Sequence, residues 1–233
     1  LPLDKLGVAR NDKQIKFPTL ALLVSGGHTE LVFMKNWKNK KIIGETLDDA
    51  AGEAFDKVGR LLGLGYPGGP AIFREAMLRS PTSVLWKSDF NNIKLPRPML
   101  YTKDYNFSFS GLKTAVRYLV ENLKQHNISV KKMRPAIAKE FQDAVVDVLV
   151  AKTIRAAKEY NVKTIIIGGG VAANALLRER LGNEIKNNMP ATCYMLPDTS
   201  FTGDNAAMIA AAAYLSSTKT PWTKLRAIDT LHL

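Results

Sequence analysis

The run KTIIIGGGVAANALLRERL, residues 163 to 181, constrains the fold more than any other stretch of the chain. Three successive isoleucines make a strand suited to burial, the glycines end it, and the residues that follow change to helical spacing. ATCYMLP then reads as a strand and GDNAAMIAAAAYL as an apolar, alanine-rich helix, so the order is strand, helix, strand, helix. That alternation predicts an α/β unit with parallel strand pairing. In open α/β sheets ligands sit at the carboxyl ends of strands, which makes Gly168, Gly169 and Gly170 the place to expect a site.

The amino-terminal half reads differently. LALLVSGGHTELVFM, residues 20 to 34, is two β-rich runs joined by a Ser-Gly-Gly turn, hence a hairpin, and KKIIGETL is a third strand. DDAAGEAFDKVGRLLGL has helical spacing at Ala54, Val58, Leu61 and Leu62, with Asp48 and Asp49 suiting its N-terminus and Gly63 and Gly65 near its end. YPGGPAIFREAML predicts a Gly/Pro turn feeding a short helix, with Pro70 in the first turn. Residues 81 to 109 show no sustained period and read as loops and edge strands. Two helices follow, Ser110 to Gln125 and Lys132 to Tyr160, the second apolar at Ile137, Phe141, Ala144, Val145 and Val148.

Composition narrows the function classes. The 233 residues are 46% hydrophobic, enough for one sizeable core or two small ones. No stretch approaches the ~18 to 20 apolar residues of a membrane-spanning helix, and LPLDKLGVAR has no signal or transit pattern, so a cytoplasmic location is expected. Cys193 is the only cysteine, expected in a buried strand, and excludes an internal disulfide. The net charge of +12, from 33 Lys and Arg against 21 Asp and Glu, favours a polyanionic partner such as nucleic acid or nucleotide.

Four groups of residues could do chemistry. Ser25-Gly26-Gly27 at the hairpin tip can bring backbone amides against a phosphate, although a plain tight turn has the same composition. The junction from Gly168 to Asn174 points amides and a positive helix end at an anion. Asp56, followed by the turn Tyr66-Pro67-Gly68-Gly69-Pro70, can accept from ribose hydroxyls, and Asp204 is either a ligand or a helix N-cap. GK[ST] and a clean GxGxxG are both absent, which speaks against a P-loop and against NAD binding. His28, His126 and His232 stand far apart in sequence with no HxxxH or HExxH, so the chain has no local signature of a metal site.

Taken in order, VSGGHTEL, DDAAGEAFDKVGRLLGLGYPGGP, FSFSGLKTAV, IAKEFQDAVVD, GGGVAAN and TGDNAAMIA resemble the successive signature blocks of the bacterial TsaD family of tRNA threonylcarbamoyladenosine transferases. The resemblance implies the actin/Hsp70/sugar-kinase (RNase H-like) superfamily fold, mainly its C-terminal lobe. It implies 1–18 as a remnant of an inter-lobe segment, 19–202 as the lobe with a helical insertion, and 203–233 as a terminal helix and tail packing toward an N-terminal lobe. It also implies transfer of a threonylcarbamoyl group from threonylcarbamoyl-AMP to N6 of the adenosine 3′ of the anticodon in ANN-decoding tRNAs, with TsaB-like and TsaE-like proteins as partners.

By the same resemblance Leu23, Val24, Ser25, Gly26 and Gly27 would hold the phosphate and acyl-adenylate region, Asp56 and Gly69 the sugar, and Asn174 the same ligand from the glycine-rich turn. Asp204 would be one ligand of a divalent iron or zinc ion. Family members begin with a further lobe of about a hundred residues, bearing an HxxxH helix with the other metal ligands. This chain starts at Leu1 without that helix. The expectation is therefore an incomplete form, with metal absent or weakly bound, turnover by the chain alone doubtful, and apolar surface exposed on the terminal helix. The alternatives are an ATP-dependent kinase of the same superfamily and a non-catalytic nucleotide-binding or assembly module.

Overall fold

The five apolar runs of the sequence become one mixed sheet. In the computed structural model, which describes residues 15–78, 93–215, 221 and 223, β1 is Thr19–Val24, β2 Thr29–Met34, β3 Lys40–Glu45, β4 Thr164–Gly168 and β5 Cys193–Met195. The spatial order is β3-β2-β1-β4-β5. β1, β2 and β3 form an antiparallel meander, whereas β4 lies parallel to both β1 and β5. The predicted hairpin, third strand and parallel pairing are all present.

Six α-helices among the described residues complete the fold: α1 Ala51–Leu61, α2 Gly68–Met77, α3 Ser110–Gln125, α4 Val130–Glu159, α5 Ala175–Asn188 and α6 Ala206–Leu215. A short 3-10 turn, Gly170–Ala173, joins β4 to α5. Period-2 alternation assigns the two sheet faces. Leu20, Leu22, Val24 and Leu31 point into the main core with Phe55, Ile137 and Phe141, while Ala21, Val32 and Met34 form a small cluster on the other face. β1 is thus buried on both faces, as a central strand with a parallel neighbour should be.

α4 runs 30 residues, about 45 Å at 1.5 Å per residue, and starts two residues earlier than its spacing suggests. All five of its predicted apolar positions are fully buried. Lys152, also without exposure, donates to the Thr102 hydroxyl at 2.9 Å and the Asp104 carbonyl at 3.2 Å, tying the loop before α3 to this helix.

Four expectations need correction or bounding. Asp48 and Asp49 do not cap α1, whose N-cap is Ala50; Asp49 pairs with Lys57 at 2.6 Å, and Asp48 reaches across to α3. Cys193 is half-buried, because β5 is a short strand at the sheet edge. Residues 93–109 contain no strand beyond an isolated bridge between Thr46 and Phe107, since Pro96 and Pro98 lack amides for a ladder. The readings of 1–14, 79–92 and most of the tail after 215, including His232, lie outside the described residues. Met208 and Ile209 of α6 are exposed, as expected for the terminal helix. No helix among the described residues is long and apolar enough to cross a membrane.

Candidate functional site

The carboxyl ends of the parallel neighbours β1 and β4 lie side by side, and each breaks into glycine. Gly169 has φ +89°, and a Cβ there would stand 2.4 Å from the Val24 carbonyl oxygen, so glycine is required for conformation and for space. On the β1 side the Ser25 hydroxyl accepts from the amides of Gly27 and His28, at 3.3 and 3.0 Å, which folds the hairpin tip. The Ser25 carbonyl accepts from the Gly52 amide at 3.1 Å, drawing the N-terminus of α1 against the same tip.

From there α1 carries Asp56 one turn further on. Its carboxylate accepts from the Gly68 amide at 2.6 Å, filling one of the open donors at the start of α2. On the β4 side Asn174 caps α5 by accepting from the Leu177 amide at 3.1 Å, and donates to the buried Gln142 of α4 at 3.0 Å. Arg178 bonds the carbonyls of Ala172 and Pro197, tying the 3-10 turn to the chain that leads to Thr199. Behind α5, Arg180 is held by Asp143 and Asp147 of α4. The neighbouring Asp198 carboxyl is kept below the usual range by the Ser200 amide and hydroxyl.

Between these ends lies a cavity of about 600 Å³. Gly26, Gly69 and Gly170, one from each glycine-rich turn, all line it, together with Asp56 and Asn174. Tyr66, Phe73 and Val171 add apolar wall, and Thr199 closes one side. The lining has one carboxylate and, among the described residues, neither Lys nor Arg. An anion here would be held by backbone amides and the start of α5, away from Asp56, whose carboxylate already occupies the first amide of α2. The apolar walls suit a flat ring, and Asp56 a hydroxyl-bearing sugar.

Of the residues named from the sequence, Gly26, Asp56, Gly69 and Asn174 come together in this cavity. Leu23, Val24, Ser25 and Gly27 do not line it: Val24 is buried in the core, Leu23 faces the opposite side of the sheet, and the Ser25 hydroxyl accepts two amides within the turn. Asp204 is exposed, and the cap of α6 is Asn205, which accepts from Met208 at 2.9 Å. No three His, Cys, Asp or Glu among the described residues are grouped to hold a metal ion, so Asp204 does not complete a site with them. Sequence reasoning missed Phe73 and Thr199. Phe73 could have been found, since it lies three and four residues after Pro70 and Gly69 on one helical face.

Comparison with known proteins supplies what geometry alone cannot. The profile of the tRNA N6-adenosine threonylcarbamoyltransferase family, TsaD, matches residues 6–211. The chain belongs to the TsaD family. A TsaD relative from Enterococcus faecalis is 48% identical over 211 residues, covering 91% of this chain and 57% of the relative. One from Geobacillus kaustophilus is 51% identical over 199 residues, covering 85% and 54%. One from Thermosipho africanus is 47% identical over 201 residues, covering 86% and 56%. All three carry the name tRNA N6-adenosine threonylcarbamoyltransferase. The chain therefore spans little more than half the length of these TsaD relatives, and the described mixed α/β sheet agrees with the actin-like fold that the family implies.

Proposed function

We propose that this chain carries the adenylate-binding half of an acyl transfer, in which a threonylcarbamoyl group passes from threonylcarbamoyl-AMP to N6 of the adenosine 3′ of the anticodon in ANN-decoding tRNAs. The meeting of three glycine-rich turns in one cavity, within a TsaD chain, is the observation that carries this reading. The adenine packs against Phe73 and Val171, the ribose hydroxyls donate to Asp56, and the phosphate sits among the amides of Gly26 and Gly170. The N6 amine attacks the carbamoyl carbon; an N–C bond forms, the C–O bond to phosphate breaks, AMP leaves and one N6 proton is released. The leaving group is a phosphate, so fixed dipoles aimed at it stabilise the charge that develops.

Residues 19–202 would then serve as the C-terminal lobe, with 203–233 turned toward an N-terminal lobe. A divalent iron or zinc ion bound by Asp204 would take its other ligands from outside the described residues, and the steps above do not depend on it. TsaB-like and TsaE-like partners and a cytoplasmic setting belong to the same reading.

Incubating the protein with labelled threonylcarbamoyl-AMP and an ANN-decoding tRNA transcript tests it. The expected result is retention of the labelled donor by the protein, with Asp56→Asn lowering affinity for the donor about tenfold at unchanged melting temperature, because Asn keeps an acceptor for the Gly68 amide while losing the charge. Failure to retain the donor would contradict the reading; donor binding with no transfer to the tRNA even when the N-terminal lobe of a TsaD relative is supplied would favour a nucleotide-binding assembly module, and ATP-dependent phosphorylation of a sugar would favour a kinase.

A further inference from the structure

We propose that the end of the sheet remote from the cavity is a docking surface for an RNA phosphate backbone. The proposal rests on the reading above that the acceptor is a tRNA, and adds where its backbone lies. Residues 31–44 contain Lys35, Lys38, Lys40 and Lys41 and neither Asp nor Glu. Every residue from 35 to 41 is exposed. The loop is nonetheless well held: the Asn36 side-chain oxygen accepts from the amides of Lys38 and Asn39, both at 2.9 Å, and the Lys35 amide donates to the Asn39 carbonyl at 3.0 Å. Trp37 stands in this loop 50% exposed, with Phe17 edge-on at 5.4 Å.

The strand register gathers more charge at the same end. Thr19 pairs with Met34 of β2 and with Thr164 of β4, and Met34 pairs with Lys40, so the exposed Lys16 and Lys163 stand beside the hairpin. Among the described residues none of these six lysines is in an ion pair. Glu159, at the end of α4, is taken up by the Tyr105 hydroxyl. Lysines on an edge strand also guard against strand pairing, which accounts for Lys40 and Lys41. It accounts neither for Lys16 and Lys163, which precede inner strands, nor for an exposed tryptophan, which invites contact. Unpaired lysines around an aromatic ring match a sugar-phosphate chain with a base to stack. Six-residue strands span about 20 Å, so a ligand touching this end and the cavity must be an extended polyanion, as an RNA stem is and a free nucleotide is not.

The test measures binding of an unmodified tRNA transcript to the chain over a range of salt concentrations. Replacing Lys35, Lys38, Lys40 and Lys41 together by Ala should lower affinity at least about tenfold and reduce the slope of log K against log salt by about 3, while the fourfold Arg variant keeps both. Trp37→Ala should weaken binding by roughly tenfold with the slope nearly unchanged. Both variants should bind a nonhydrolysable threonylcarbamoyl-adenylate analogue as the unaltered chain does. Failure of the unaltered chain to bind that analogue would count against the transferase reading and leave this surface to be judged on RNA alone. Unchanged RNA affinity and slope in the fourfold Ala variant, at unchanged melting temperature, would overturn the proposal. So would full displacement of the transcript by polyglutamate of equal charge, which would assign the surface to an acidic protein.

Discussion

A methyl group at Gly169 has nowhere to go. It would sit 2.4 Å from the Val24 carbonyl oxygen and 3.3 Å from the Ser25 Cβ, on a backbone with φ +89° that an L side chain rarely adopts. Strain and overlap together make Gly169→Ala cost about 2 kcal/mol or more, a fall in Tm of roughly 4–8 °C for a chain of 233 residues, readable by calorimetry. Gly26, Gly69 and Gly170 behave in the opposite way: none has a positive φ, and a Cβ on any of them meets nothing within 4 Å. The sequence shows all of these glycines alike. Only the packing separates those that let two strand ends approach from those that leave space for a ligand. Val24 and Leu23 illustrate the same limit, because a motif names neighbours in sequence while strand alternation sends their side chains to opposite faces.

Among the elements, the N-terminus of α3 depends on a residue far from it in sequence. Asp48 accepts from the amides of Phe109 and Ser110, at 2.8 and 3.2 Å, and from the hydroxyls of Ser108 and Ser110, at 2.6 and 2.8 Å. Partial burial acts to raise its carboxyl pKa, but these hydrogen bonds outweigh it and hold the group below its ordinary 3.8. A carboxylate with a lowered folded pKa stabilises fully above the unfolded value and loses that contribution as pH falls through the folded one. Asp48→Ala should therefore cost about 1–2 kcal/mol at neutral pH. The difference in Tm from the parent should close as pH falls from about 4 toward 2, whereas a structurally neutral Asp48 would show no difference at any pH.

Local patterning found α3, α4 and the five strands, because period and length are written in consecutive residues. It misplaced Asp48 because an acid before a helical run signals a cap for that run, and nothing local announces a partner some sixty residues away. The 93–109 segment was opaque for a related reason. Its shape comes from side chains reaching α4, such as Arg97 to Glu140 and Asp147, and Lys152 back to Thr102.

At the scale of the whole molecule, the two ends of the sheet differ in how they can hold negative charge. One end offers amides and the start of α5 around a cavity lined by neither Lys nor Arg among the described residues, the other exposed lysines around Trp37. The net charge of +12 pointed to a polyanion, but not to this division, which depends on strand register. The convergence of the turns was legible only through the ordered blocks, since residues 26, 69 and 170 come together across more than a hundred residues of chain. Calorimetric titration of Gly26→Val, Gly69→Val and Gly170→Val with a nonhydrolysable threonylcarbamoyl-adenylate analogue tests that convergence most directly. Each variant should keep the parent melting temperature and lose at least about tenfold in affinity, because each side chain enters the same space. Parent-like affinity in all three would contradict a shared adenylate pocket.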